Sequence, residues 1–283
     1  MPQLICPLCQ DPLLPAGNTW ACSRRHSFDV AREGYVNLLP VQQRKSRAPG
    51  DNPDMVRARR AFLEAGYYQP LREVIVEEVA RLAPASLLDI GCGEGWYTAA
   101  LADVCADVTG LDIARPAIQR AAKRDRRVTW LVAGSAHLPL ADASVDLACS
   151  LFSPLPVAEL HRVLRPGGHL LLATPGADHL LALRRALFET VLPHRPEKFA
   201  GVLAEAFSLA SVHEVRFPLH LDAAALQDLL AMTPYAWRAT AERRAALAGS
   251  TAFADEAVVS VQVFTRLDRL PSTSESDETL PAD

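Results

Sequence analysis

Cys6-Pro-Leu-Cys9 and Cys22-Ser-Arg-Arg-His26, twelve residues apart, put two pairs of soft ligands at the front of the chain. Two close pairs joined by a short hairpin suit tetrahedral zinc, and four protein ligands leave no open coordination position, so the metal would be structural. His26 is the least secure ligand, because a histidine in a turn is also at home in solvent. A second group begins at Asp89-Ile90-Gly91-Cys92-Gly93-Glu94-Gly95 and continues to Asp112. Glycines after a strand let the chain turn sharply and a ligand approach the backbone. An acid at the end of the following strand is placed to accept from both hydroxyls of a ribose. The spacing is GxGxG, whereas dinucleotide sites use GxGxxG to seat a pyrophosphate on a helix N-terminus. Glu94 would repel that pyrophosphate and suits a cationic sulfonium and amino group. A nicotinamide-dependent oxidoreductase is the competing reading.

Elements must carry these groups. Short apolar runs at Ser86–Ile90, Asp107–Ile113, Val128–Val132, Val145–Leu151 and His169–Thr174 read as strands. Helical spacing at Met55–Ala65, Pro70–Leu82, Trp96–Val104, Pro116–Arg124 and Ala158–Leu164 alternates with them. That alternation predicts an α/β, Rossmann-like parallel sheet covered on both faces, with Ser211–Leu219 and Ala257–Leu267 as an antiparallel pair at one side. Residues 1–40 are too short for an apolar core and need a staple, here the zinc-binding module. Residues 41–53 are polar, basic and proline-broken, a linker. Residues 54–267 form the large domain, and 268–283 a disordered acidic tail.

The 283 residues carry 29 Lys+Arg and 33 Asp+Glu, a net charge of −4. The tail from Ser272 holds four acids and no base, which equals that net charge, while Arg24 to Arg47 is net positive by four. A basic segment interleaved with Trp20, Phe28 and Tyr35 suits phosphates and unpaired bases. Equally, the basic segment fits a solvated surface, and Trp20 and Phe28 fit the module's own small core. Cys92, Cys105 and Cys149 lie singly in apolar surroundings and read as buried small side chains. No apolar run is long enough to span a bilayer, and the N-terminus lacks the pattern of a secretory signal, so a cytoplasmic protein with no membrane partner is expected.

Asp89 to Gly95, Asp112, Ser144-Val145-Asp146 and Arg165-Pro166-Gly167-Gly168 resemble the class I methyltransferase core. Adding the zinc quartet, Glu33 to Pro40, Pro49-Gly50-Asp51 and Met232 to Trp237, the chain from Cys6 to about Arg266 resembles the bacterial 23S rRNA (guanine-N1)-methyltransferases. The resemblance implies S-adenosylmethionine as cofactor and structural zinc. It implies transfer of a methyl group to guanine N1 in a 23S rRNA hairpin, at nucleotide 745 in preference to the neighbouring 748. Gly91, Gly93 and Gly95 would line the methionine and ribose side, with Asp112 on the ribose. Tyr68 and His179 would reach the cofactor; without the resemblance they read as a helix-packing residue and a surface histidine. Tyr97 and Thr98 would be loop contacts, Tyr97 equally a core residue, and His137 would lie where adenine is held. Arg24, Arg25, Arg44, Lys45 and Arg47 would contact RNA. Phe152 would wall the base pocket or belong to the core. No residue stands out as the general base. A homodimer would help span a large RNA. A small-molecule methyltransferase and a non-enzymatic zinc RNA-binding protein are the alternative functions.

Overall fold

The computed structural model describes residues 2–43 and 49–268. The expected RNA contacts Arg44, Lys45 and Arg47, and the tail beyond Asp268, lie outside the described residues. Three short strands, β1 (Leu14–Ala16), β2 (Thr19–Ala21) and β3 (Ser27–Asp29), make an antiparallel sheet around the cysteine pairs. β4 (Tyr35–Asn37) leaves that sheet. The helices α1 (Pro53–Glu64) and α2 (Gln69–Leu82) follow, then the alternating series β5 (Leu87–Ile90), α3 (Trp96–Leu101), β6 (Val108–Asp112), α4 (Arg115–Arg124), β7 (Thr129–Val132), β8 (Val145–Leu151), α5 (Val157–Val163) and β9 (Leu164–Pro175). After α6 (Leu181–Leu187) and α7 (Lys198–Leu203), the long strands β10 (Phe207–Asp222) and β11 (Ala252–Arg266) pair antiparallel. Between them lie α8 (Ala223–Met232), α9 (Tyr235–Arg238) and α10 (Ala241–Ala248). Among the described residues no helix is long and apolar enough to cross a membrane.

The large sheet runs β10-β11-β9-β8-β5-β6-β7-β4. Strands β4 to β9 pair parallel, and β11 joins β9 antiparallel. The strand order reverses at β5, which has β6 on one side and β8 on the other, and open α/β sheets bind ligands beyond the carboxyl ends at such a point. Side chains alternate faces along each strand. Leu87, Leu147, Cys149 and Leu171 enter one buried cluster with α2 and α4; Leu88, Ala148, Leu170 and Leu172 enter another with α5 and α7. Cys105 and Cys149 are buried as expected.

The zinc module covers part of that second face. Leu4, Cys6, Leu13, Cys22, Val36 and Leu38 share its cluster with Leu88, Ile90, Leu111 and Leu131. Ile5 N donates to Pro139 O at 3.0 Å, Ala141 N to Gln3 O at 2.8 Å and Leu38 N to Val132 O at 2.9 Å. The segment expected to close a separate module near residue 40 thus supplies the edge strand of the large sheet. Tyr35 is buried, its hydroxyl accepting from Arg115 Nε at 2.9 Å. Trp20 and Phe28 pack against the same cluster. Tyr35 therefore packs against the large domain, while Trp20 and Phe28 are half-buried against the cluster beneath the module.

Two motifs act at the sheet's opposite end. Asp146 Oδ2 accepts from Ser86 N and Ser86 Oγ, both at 2.8 Å, and Asp146 Oδ1 pairs with Arg165 Nη1 at 2.5 Å. The starts of β5, β8 and β9 are tied together there. Asp146→Ala leaves those donors without their acceptor and should cost about 1–3 kcal/mol. A urea melt should show that loss while cofactor affinity stays within twofold of wild type; unchanged stability refutes the tie.

Candidate functional site

A cavity of about 440 Å³ opens at the switch point. Gly91, Cys92, Gly93 and Glu94 line it from the loop after β5, Asp112 and Ile113 from the end of β6, and Phe152, Ser153 and Pro154 from the end of β8. Gly91 and Gly93 have φ of +69° and +56°, backbone that side chains with a Cβ resist. A Cβ on Gly91 would lie 2.5 Å from Ser153 Cβ, so the two loops meet there; one on Gly93 would meet nothing within 4 Å, only the cavity. Gly93 N donates to Asp112 Oδ2 at 2.9 Å and Ala114 N to Asp112 Oδ1 at 2.7 Å. Burial raises the Asp112 pKa, and these two amides act against that shift. Its carboxylate is therefore fixed in direction by neutral donors and keeps further lone pairs for the cavity.

Other expected cofactor residues stand behind this wall. Asp89 is buried, accepting from Thr98 Oγ1 at 2.6 Å, and burial lifts its pKa to about 7. Thr98 is fully buried, and neither it nor Asp89 lines the cavity. Gly95 is absent from the lining too: a Cβ there would sit 2.6 Å from the Trp130 ring, so this glycine is needed for packing. His137 is exposed and outside the cavity. Glu94 does line it, but its Oε2 pairs with Arg124 Nη2 at 2.5 Å. The acid whose type and place suit a cationic group is thus already paired with Arg124. Only Oε1 is left, and it is buried without a hydrogen bond, as are Tyr97 Oη and Thr233 Oγ1 in the same lining. A buried polar atom left unmet costs about 1–3 kcal/mol, so three such atoms on one cavity fit a polar ligand. S-Adenosylmethionine, with its ribose, ammonium and carboxylate, carries groups of the kind they lack.

Tyr68 and His179, 111 residues apart, meet on the opposite wall: Tyr68 Oη lies 3.3 Å from His179 Nε2. His179 Nδ1 lies 2.8 Å from Val258 O and 3.2 Å from Val258 N, so the backbone of β11 holds the ring whichever nitrogen carries the proton. Burial pushes the His179 pKa down to about 3, so the ring is neutral. Phe152 packs edge-on against Tyr68 at 6.3 Å, with φ of +54°, a strained conformation for a residue with a side chain. It is half-buried, joining the core and lining the cavity at once.

Two segments without an expected role complete the cavity. Gly50 and Asp51 form a strap, seated where a Gly50 Cβ would lie 2.9 Å from Ile113 Cγ2, and Met232 to Tyr235 close another side. Arg59 joins the two, pairing with Asp51 and donating from Nη2 to Met232 O at 3.2 Å. Both segments stood out in the sequence as motifs. Arg59 carried no signal, being one of three arginines in α1.

In the front module the ligand atoms of Cys6, Cys9, Cys22 and His26 all lie within 4.8 Å of one another. Cys6 Sγ and Cys22 Sγ are each 3.5 Å from His26 Nδ1, and Cys9 Sγ is 3.6 Å from Cys22 Sγ. Tetrahedral zinc with bonds of roughly 2.3 Å to sulfur and 2.0 Å to nitrogen puts its ligand atoms about 3.5–3.8 Å apart. The quartet fits. Arg24 and Arg25 project from its second knuckle into solvent, Arg24 with Asp11 at 3.3 Å.

The sheet, the glycine loop with Asp112 held against it, and a closed cysteine–histidine quartet define a class I S-adenosylmethionine-dependent methyltransferase bearing a structural zinc ribbon. A family model described as "RlmA, N-terminal" matches residues 4–47, and one described as "Methyltransferase domain" matches residues 88–172. The 23S rRNA (guanine(748)-N(1))-methyltransferase of Streptomyces fradiae is 39% identical over 242 residues, covering 83% of this chain and 85% of its own. A Bacillus subtilis protein with the provisional name of 23S rRNA (guanine-N1)-methyltransferase is 34% identical over 254 residues, covering 84% of this chain and 88% of its own. The chain belongs to the 23S rRNA (guanine-N1)-methyltransferase family.

Asp112→Ala should weaken S-adenosylmethionine binding by about 1–3 kcal/mol in calorimetric titration; an unaltered dissociation constant would remove Asp112 from the site. Stripping the quartet with a strong chelator should release one zinc per chain. Because the ribbon shares its core with the sheet, the whole chain's unfolding midpoint should then fall by several degrees. A ribbon that melts alone, leaving the main transition in place, contradicts the shared core.

Proposed function

We propose that the chain transfers a methyl group from S-adenosylmethionine to N1 of a guanine in 23S rRNA, at position 748 ahead of the neighbouring 745. What carries the reading is likeness to a relative whose name specifies that position, over 85% of the relative's length. The expectation of 745 rested on motif resemblance alone. In this reading residues 1–40 recognise RNA in the cytoplasm, with Arg24 and Arg25 on phosphates, and residues 54–267 carry out the transfer.

Bound S-adenosylmethionine supplies an electrophilic methyl on a sulfonium. The protein orients and encloses. Gly93 and Asp112 would set the ribose, Gly91 the turn beside it, and Tyr97 and Glu94 Oε1 the remaining polar groups. Tyr68 and His179 would close the far wall. Guanine N1 lies on the base-pairing edge and carries a proton, so the base must leave its pair and enter the cavity. Phe152, held by Tyr68 and His179, offers a ring face for it. His179, neutral down to about pH 3, suits hydrogen bonding to a ligand better than storing the guanine proton.

Incubating the full chain with labelled cofactor and unmodified 23S rRNA, then mapping by primer extension, tests this. N1-methylation blocks the pairing edge, so a stop beside 748 is expected. A stop at 745 alone moves the site, and no incorporation ends the rRNA reading.

A further inference from the structure

We infer that Trp237 is a stacking platform for the nucleobase next to the guanine that enters the cavity; the inference rests on the rRNA reading above. Trp237 is 65% exposed, and the other large apolar side chains recorded as exposed among the described residues are aliphatic. An indole left in water is unusual for its apolar area. This one sits on a firmly held turn. The backbone N–H of Trp237 donates to Pro234 O at 3.3 Å, and Pro234 is itself an exposed residue of the cavity lining, so it stands at the mouth. Tyr235, on the buried side of α9, bonds His194 Nε2 at 2.9 Å and packs edge-on to Phe188 at 6.5 Å. Upstream, Arg59 grips Met232 O at 3.2 Å. The segment that walls the cavity with one face therefore holds Trp237 outward with the other.

Taking a guanine out of its stack bares the face of its neighbour, and an aromatic ring at the rim can replace the lost partner whatever the base. The surroundings favour nucleic acid over an apolar protein surface. Arg238 and Arg244 are exposed on the same stretch, against the single exposed acid Glu242 between them. Of the ribbon aromatics Tyr35 is buried, and Trp20 and Phe28 are half-buried against the core, so the indole of Trp237 presents the most open ring.

Steady-state methylation of unmodified 23S rRNA should be compared for wild type, Trp237→Ala and Trp237→Phe. Losing one base–aromatic stack should raise the KM for RNA about five- to 150-fold in Trp237→Ala. The kcat at saturating RNA, the dissociation constant for S-adenosylmethionine and the melting temperature should stay near wild type. Trp237→Phe should recover most of the loss. An unchanged KM in Trp237→Ala overturns the platform and leaves the rRNA reading intact, whereas a wild type that methylates no 23S rRNA defeats both. If Trp237→Ala instead converts a dimer to monomers in sedimentation, the ring belongs to an interface between copies, and the platform is wrong.

Discussion

Two backbone amides, those of Gly93 and Ala114, hold the Asp112 carboxylate at the point where the sheet reverses its strand order. One belongs to the loop after β5 and the other to the turn after β6, so a single side chain sets the spacing of the two walls. A lysine or arginine in place of those amides would hold the acid equally well but cancel its charge. Neutral donors leave the charge in being, at the price of a pKa raised by burial. The glycines follow from this arrangement. Gly93 must bring its N–H to the acid while exposing bare backbone to the cavity, and Gly91 must let Ser153 approach closely.

The ribbon is part of the same construction. β7 would otherwise end the sheet with a free edge, which invites unwanted pairing. β4 covers it, and Leu4, Leu13, Val36 and Leu38 fill the apolar face beneath. From that edge the chain runs on to the strap of Gly50 and Asp51, which Arg59 fastens to the turn after α8. The ribbon is thus more than an appendage: it supplies both the edge strand and apolar cover for one face of the sheet.

Local spacing made much of this legible. The ligand pairs, the glycine loop after an all-buried strand, Asp112 and the antiparallel β10–β11 pair could all be read within short windows of sequence. Interactions between distant residues could not. Nothing beside Glu94 in the sequence points to its partner Arg124, which lies 30 residues away on α4. Thr98 and Gly95 have the right place in the chain, yet the start of α3 turns them toward Asp89 and Trp130. Tyr68 and His179 were found through resemblance alone, since nothing in either neighbourhood announces a contact across 111 residues. β4 is three residues long, too short for any periodicity to show that it leaves one sheet for another.

The balance of charge in the cavity separates the two cofactor classes left open by the glycine turn. Three carboxylates reach its lining, those of Asp51, Glu94 and Asp112, and Asp89 lies behind them. Asp51 is paired with Arg59 and Glu94 with Arg124, whereas Asp112 takes its hydrogen bonds from amides and feels Arg59 only through space. A pyrophosphate would add two charges of the same sign beside that acid, and α3, six residues long and preceded by buried Glu94, offers little dipole to offset them. A donor carrying a sulfonium and an ammonium against one carboxylate brings net positive charge to the same place. Desolvation sharpens the preference, because in a half-enclosed cavity each uncancelled charge interacts more strongly than in water. The turn shared by both classes of cofactor is therefore decided by the acids around it.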